Sequence, residues 1–130
     1  MKILLDTHIF LWYINKDNRL PDNFRENIRN LDNEVYLSVV SLWESIIKHQ
    51  LGKLSLPQPP EIYIPIQRER HLISSLSIDE ASITQLAKLS PIHRDPFDRM
   101  IICQAMEYDM TIITVDDVFL SYPVAVLKRA

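Results

Sequence analysis

The sequence predicts an α/β protein, a three-layer α/β/α sandwich built around a short, mainly parallel central sheet. Short apolar runs of strand length alternate along the chain with segments of helical periodicity. The first run, Lys2-Ile3-Leu4-Leu5, is apolar without alternation, the pattern of a strand covered on both faces. Helix-start signals recur between the runs. At 130 residues the chain fits one domain, 1–130, and no repeat, low-complexity tract or linker divides it.

The opening strand stops at Asp6-Thr7, so Asp6 falls at a strand's carboxyl end. Phe24, Ile28 and Leu31 stand four and three apart and predict a helix with one buried face. Val35-Tyr36-Leu37 predicts the second strand. Trp43, Ile47 and Gln50-Leu51-Leu54 carry the next helical spacing, and Ser41-Leu42-Trp43-Glu44 matches a capping box that would start it. Residues 56–65 are rich in proline, and Pro65 is expected to break or kink any helix running from Glu61 to Arg70.

Ser77-Ile78-Asp79-Glu80 reads as a capping box before Ala81, Leu86 and Leu89. Asp95-Pro96 reads as an N-cap with proline at the first helical position. The third strand is expected at residues 111–114 and the fourth near Val124-Ala125-Val126.

Cys103 is the only cysteine and lies in an apolar, helix-like run, which excludes an intrachain disulfide and predicts a buried thiol in a reducing cytoplasm. No apolar run approaches the ~20 residues of a membrane span, and the first residues lack the pattern of a signal peptide. A soluble, unprocessed cytoplasmic protein is the expectation. The single glycine, Gly52, excludes glycine-rich phosphate loops and dinucleotide fingerprints, which need several glycines for close backbone approach. The net charge of -3 gives no global attraction to nucleic acid, so RNA would have to be met by local basic groups or bound cations. Basic residues do cluster at Lys48, His49 and Lys53, at Arg68, Arg70 and His71, and at His93, Arg94 and Arg99; solvated helix faces account for them.

In sheets of this kind ligands bind outside the carboxyl ends of the strands. Asp6 and Asp116 both follow apolar strands, although an aspartate there also serves as a turn or cap residue. Glu44 and Asp98 each have a capping role open to them. Asp98 nevertheless precedes Ile101, Ile102 and Ala105 by three, four and seven residues, and Glu44 stands three and seven before Ile47 and Leu51. Both carboxylates are therefore expected to aim inward. Convergence of Asp6, Glu44, Asp98 and Asp116 would be strongly repulsive without a cation. All-oxygen ligation favours Mg2+ first and Mn2+ second, and no cysteine-histidine spacing suggests zinc. Such a centre suits phosphodiester hydrolysis. Thr7, Ser41 and Thr114 lie beside the acids as candidate binders of water or phosphate, with local backbone bonding as their other role.

The assembled residues resemble the PIN domain family, specifically its VapC-like toxin ribonucleases of toxin-antitoxin pairs, over essentially the whole chain. The resemblance is carried by Leu4-Leu5-Asp6-Thr7-His8, by Ser38-Val39-Val40-Ser41-Leu42-Trp43-Glu44 leading to Lys48-His49-Gln50-Leu51-Gly52-Lys53-Leu54, by His93-Arg94-Asp95-Pro96-Phe97-Asp98-Arg99-Met100, and by Ile113-Thr114-Val115-Asp116. It implies that Asp6, Glu44, Asp98 and Asp116 form an acidic site for Mg2+ or Mn2+, with Thr7 and Thr114 as nearby polar positions. It also implies endonucleolytic cleavage of RNA, a cognate antitoxin that blocks the site, and homodimerisation. Val115 departs from the family pattern, where many relatives look more polar.

Asp95 is assigned to capping, and His8, His49 and His93 are not assigned to catalysis. A haloacid-dehalogenase-like phosphatase needs a second aspartate two residues after the first, and that position is His8. A response-regulator receiver needs paired acids near Asp6, which are absent. The remaining alternative is a PIN-like module that binds RNA or protein without cutting.

Overall fold

In the computed structural model of the chain, residues 1–91 and 95–129 are described. Five parallel strands run in the order β3-β2-β1-β4-β5: β1 (Lys2–Leu5), β2 (Glu34–Ser38), β3 (Ser74–Leu76), β4 (Thr111–Ile113) and β5 (Ala125–Val126). The helices are α1 (Thr7–Ile14), α2 (Asp22–Arg29), α3 (Val39–Gln50), α4 (Pro60–Arg70), α5 (Glu80–Thr84) and α6 (Pro96–Tyr108), with 3-10 turns at Gln85–Lys88 and Asp117–Ser121. The α/β fold expected from the sequence is the one formed.

Strand β1 is central. Leu4 pairs with Tyr36 of β2 on one side and with Ile112 of β4 on the other. Ile3 and Leu5 join a core beneath α1, α2 and α4 that includes Phe10, Phe24 and Ile64, while Leu4 joins an opposite core with Val40, Ile101, Ile102 and Phe119. This alternation explains why every apolar residue of the strand is buried, and why its sequence shows no polar face. Cys103 lies wholly inside the second core, as expected. The chain builds β2 and β3 on one side of β1 and then crosses to β4 and β5 on the other. The crevice created by that reversal, at the carboxyl ends of β1 and β4, is where α/β sheets bind ligands.

Several local expectations are corrected. Helix α1 and strand β3 had no assignment: the first is apolar nearly all round, and the second is an edge strand whose Ser74 and Ser75 are exposed. Helix α2 stops at Arg29, leaving Leu31 exposed. Helix α3 begins at Val39, with the Ser38 hydroxyl accepting from the Val40 amide, so Ser41 is inside the helix and is not its cap. Its buried face is Val40, Ser41, Glu44 and Ser45; Trp43 and Leu51 are exposed, and Trp43 meets the ring of Phe97 edge-on. Gly52, at φ +71, ends α3 while the Lys53 amide donates to the Lys48 carbonyl.

Helix α4 runs through Pro65 without a break. The bond that proline removes would have gone to the carbonyl of Glu61, an exposed first-turn residue that water can serve. Helix α5 is capped by Asp79, whose carboxylate accepts from the Ser82 amide; Ser77 is not the cap and Ala81 is exposed. Strand β4 ends at Ile113, one residue short of the expected end, and β5 holds Ala125 and Val126 without Val124. His93 and Arg94 lie outside the described residues. No helix among the described residues is long and apolar enough to cross a membrane.

Candidate active site

Asp6 directly follows β1, and its amide still donates to the Ile113 carbonyl at 3.0 Å, so the sheet itself fixes its backbone. The side chain turns back to cap α1, with Oδ1 accepting from the Thr7 amide at 2.8 Å. Oδ2 accepts from the Thr114 hydroxyl at 2.8 Å. Thr114 in turn accepts from the Asp116 amide at 3.0 Å, and the Asp116 carboxylate caps the following 3-10 turn through the Val118 amide. One hydroxyl thus ties the acid after β1 to the turn after β4. Capping and site membership are not exclusive for either aspartate.

Glu44 reaches the same crevice from α3 and is 3% exposed. The Thr7 hydroxyl lies 2.8 Å from both Glu44 Oε1 and the Ser41 hydroxyl. A hydroxyl has one proton and an ionised carboxylate only accepts, so Thr7 donates to Glu44 while Ser41 donates to Thr7. The other oxygen, Oε2, accepts from the Lys48 ammonium at 2.6 Å, one helical turn on. Asp98, 8% exposed, stands in the first turn of α6. Asp95 caps that helix by accepting from the Phe97 and Asp98 amides, the role expected of it.

Asp6, Glu44, Asp98 and Asp116 line one cleft of about 260 Å³, together with His8, Trp12, Lys48, Asp95 and Val115. Thr7, Ser41 and Thr114 are not in that lining; the Thr7 and Thr114 hydroxyls are engaged with Glu44 and Asp6, and that of Ser41 with Thr7. Burial holds the Asp6 carboxyl above its ordinary value, with the charge of Glu44 adding to the rise. The Thr114 hydroxyl, His8 and the Thr7 amide act the other way without cancelling it. Lys48 is lowered by burial, yet the bond and charge of Glu44, with Asp95 and Asp98 behind it, raise it overall.

The donors are hard carboxylate oxygens and fit Mg2+ or Mn2+ in kind. Among the described residues, however, no group of three or more His, Cys, Asp or Glu side chains is drawn together closely enough to hold an ion. Part of the repulsion expected to require a metal is instead offset by Lys48, a residue expected on a solvated face. The signal for it was present, because an acid followed four residues later by a lysine on a helix forms a side-chain pair. His8, not assigned to catalysis from the sequence, and Trp12, which carried no expectation, also line the cleft.

Comparison with known proteins gives a consistent set of matches. A sequence profile described as the PIN domain matches residues 3–124. Ribonuclease VapC16 of Mycobacterium tuberculosis is 39% identical over 57 residues, which is 44% of this chain and 40% of that protein. The structure of VapBC2 from Rickettsia felis bound to a promoter DNA fragment contains a chain that superposes with a TM-score of 0.73 at 18% identity, covering 98% of each chain. A toxin-antitoxin complex from Klebsiella pneumoniae gives a TM-score of 0.63 at 12% identity, again covering 98% of each chain.

Proposed function

The chain belongs to the PIN domain family, and from that premise we propose that it is a divalent-metal-dependent endoribonuclease, the toxin of a toxin-antitoxin pair. The observation that carries the proposal is the meeting of Asp6, Glu44, Asp98 and Asp116 in one cleft at the point where the sheet reverses its strand order. The segment shared with the mycobacterial ribonuclease supports the same chemistry, although it spans less than half of that protein.

In this account the four acids hold Mg2+, or Mn2+ in its place. Bound there, the ion supplies polarisation of the phosphate and of the attacking water, and neutralises charge on the leaving oxygen. The chain's own groups do the positioning. Thr114 and the Thr7 amide fix both oxygens of Asp6, and Thr7, backed by Ser41, fixes one oxygen of Glu44. Asp95 holds the first turn of α6 and with it Asp98. RNA is the substrate, a cognate antitoxin covers the cleft, and two copies of the chain pair as a homodimer. The toxin-antitoxin complex among the similar folds supports the antitoxin part.

One observation favours a module that binds without cutting: Glu44 is paired with Lys48, and among the described residues no three acids stand ready to hold an ion. Incubating the purified protein with a mixed RNA pool in Mg2+, in Mn2+ and in chelator separates the two. Cleavage in either metal and none in chelator supports the nuclease; RNA bound but intact in all three supports the module.

A further inference from the structure

Both oxygens of Glu44 are engaged, but unequally. Oε1 is held inside the protein by Thr7, and Oε2 meets the ammonium of Lys48 at 2.6 Å. The Glu44 side chain is 4% exposed and that of Lys48 is 38% exposed, so the pair has one fixed member and one at the edge of solvent. Lys48 also lines the acidic cleft, where it is the only lysine or arginine among the described residues, facing Asp6, Asp95, Asp98 and Asp116 as well as Glu44.

A divalent ion recruited by Glu44 would have to use Oε2, because Oε1 is turned inward. It would then compete with the ammonium for the same oxygen, where two cations repel each other by more than thermal energy. The ammonium must move. Its flexible four-carbon stem lets it leave without disturbing α3, and a compact ammonium with three donors is a good partner for a phosphate oxygen. Apart from His8, Trp12 and Val115, the rest of the described lining is carboxylates that repel RNA, so a lysine released into the cleft supplies positive charge for the substrate.

We propose that Lys48 and the divalent ion are alternative partners of Glu44, and that the ammonium displaced by the ion anchors an RNA phosphate in the cleft. The proposal rests on the ribonuclease assignment above. It makes ion binding a step that readies the cleft for RNA, and it gives the buried Glu44 a cationic partner in either case.

The test uses wild type, Lys48→Met and Lys48→Arg, with Lys48→Gln as a second neutral variant should the methionine protein fail to fold by circular dichroism. Mn2+ binding is measured by calorimetry without RNA, and cleavage of a fluorescent single-stranded RNA is measured in saturating Mn2+. The neutral variant is expected to bind Mn2+ roughly threefold more tightly, the worth of a half-exposed ion pair. Its KM for RNA is expected to rise about tenfold with little change in kcat, as for lost substrate binding. Lys48→Arg keeps both values near wild type.

Unchanged or weaker Mn2+ binding in the neutral variant, or an unchanged KM, overturns the role of Lys48 while leaving the nuclease intact. A wild type that neither binds Mn2+ nor cleaves RNA overturns the ribonuclease assignment, and this proposal with it.

Discussion

The Thr114 hydroxyl donates to Asp6 Oδ2 at 2.8 Å, joining two residues 108 positions apart at the carboxyl ends of adjacent strands. Because Thr114 also accepts from the Asp116 amide, it sets the direction of one acid and the turn carrying another. Thr114→Val keeps the shape and removes the hydroxyl. Its cleavage rate is expected to fall roughly 10- to 100-fold, the usual cost of losing support for a metal-binding side chain. Thr114→Ser should restore most of it, and kinetics of the two variants on one RNA substrate check the expectation.

Asp6→Asn should abolish cleavage and at the same time raise the thermal midpoint in metal-free buffer at neutral pH. The sign follows from burial. An aspartate whose pKa is raised in the folded state favours its neutral form there, so at neutral pH its charge costs stability that a neutral amide does not. Calorimetric melting of both proteins in chelator reads the shift; an unchanged or lower midpoint would show that the Asp6 charge is well accommodated.

Ser38→Ala should destabilise the fold by about 1 kcal/mol, because the Ser38 hydroxyl caps α3 and the variant leaves the Val40 amide unpaired in a buried place. Urea unfolding measures the loss. Glu44→Gln, in the same helix but away from its cap, should leave this contribution intact.

Asp17 provides a pH marker that is not part of the cleft lining. Its bond to Arg19 lowers its pKa from 3.8 to about 2. The stabilising effect of a depressed acid is complete above its unfolded value and lost as pH falls through the folded one, so it disappears between about pH 4 and 2. Carboxyl NMR shifts should titrate near the lower value in wild type and return toward 3.8 in Arg19→Ala. That variant also removes the guanidinium stacked 5.0 Å from the ring centre of Trp12, a cleft residue.

The parts of this molecule legible in its sequence are those where burial is uniform. Ile3, Leu4 and Leu5 are all fully buried, so the first strand and the aspartate after it stood out. Asp98 was read inward from Ile101, Ile102 and Ala105, and all three are in the core. Glu44 was placed correctly on a mistaken stripe: α3 buries serines and Glu44 itself, while the apolar Trp43 and Leu51 face solvent. A helix whose inner face is polar defeats hydrophobic periodicity. Strand β3 was hidden for the related reason that an exposed edge needs no apolar residues, and α4 continues through Pro65 because the lost bond falls where water can replace it.

The acids of the cleft are proposed to cut RNA through a divalent ion. The most direct test is cleavage of a mixed RNA pool by wild type, Asp6→Asn and Asp98→Asn, each with Mg2+ or Mn2+ and each with chelator. Wild type is expected to cleave only when metal is present, and neither folded variant is expected to cleave at all. Cleavage that persists in chelator, or unchanged in both variants, would contradict that mechanism.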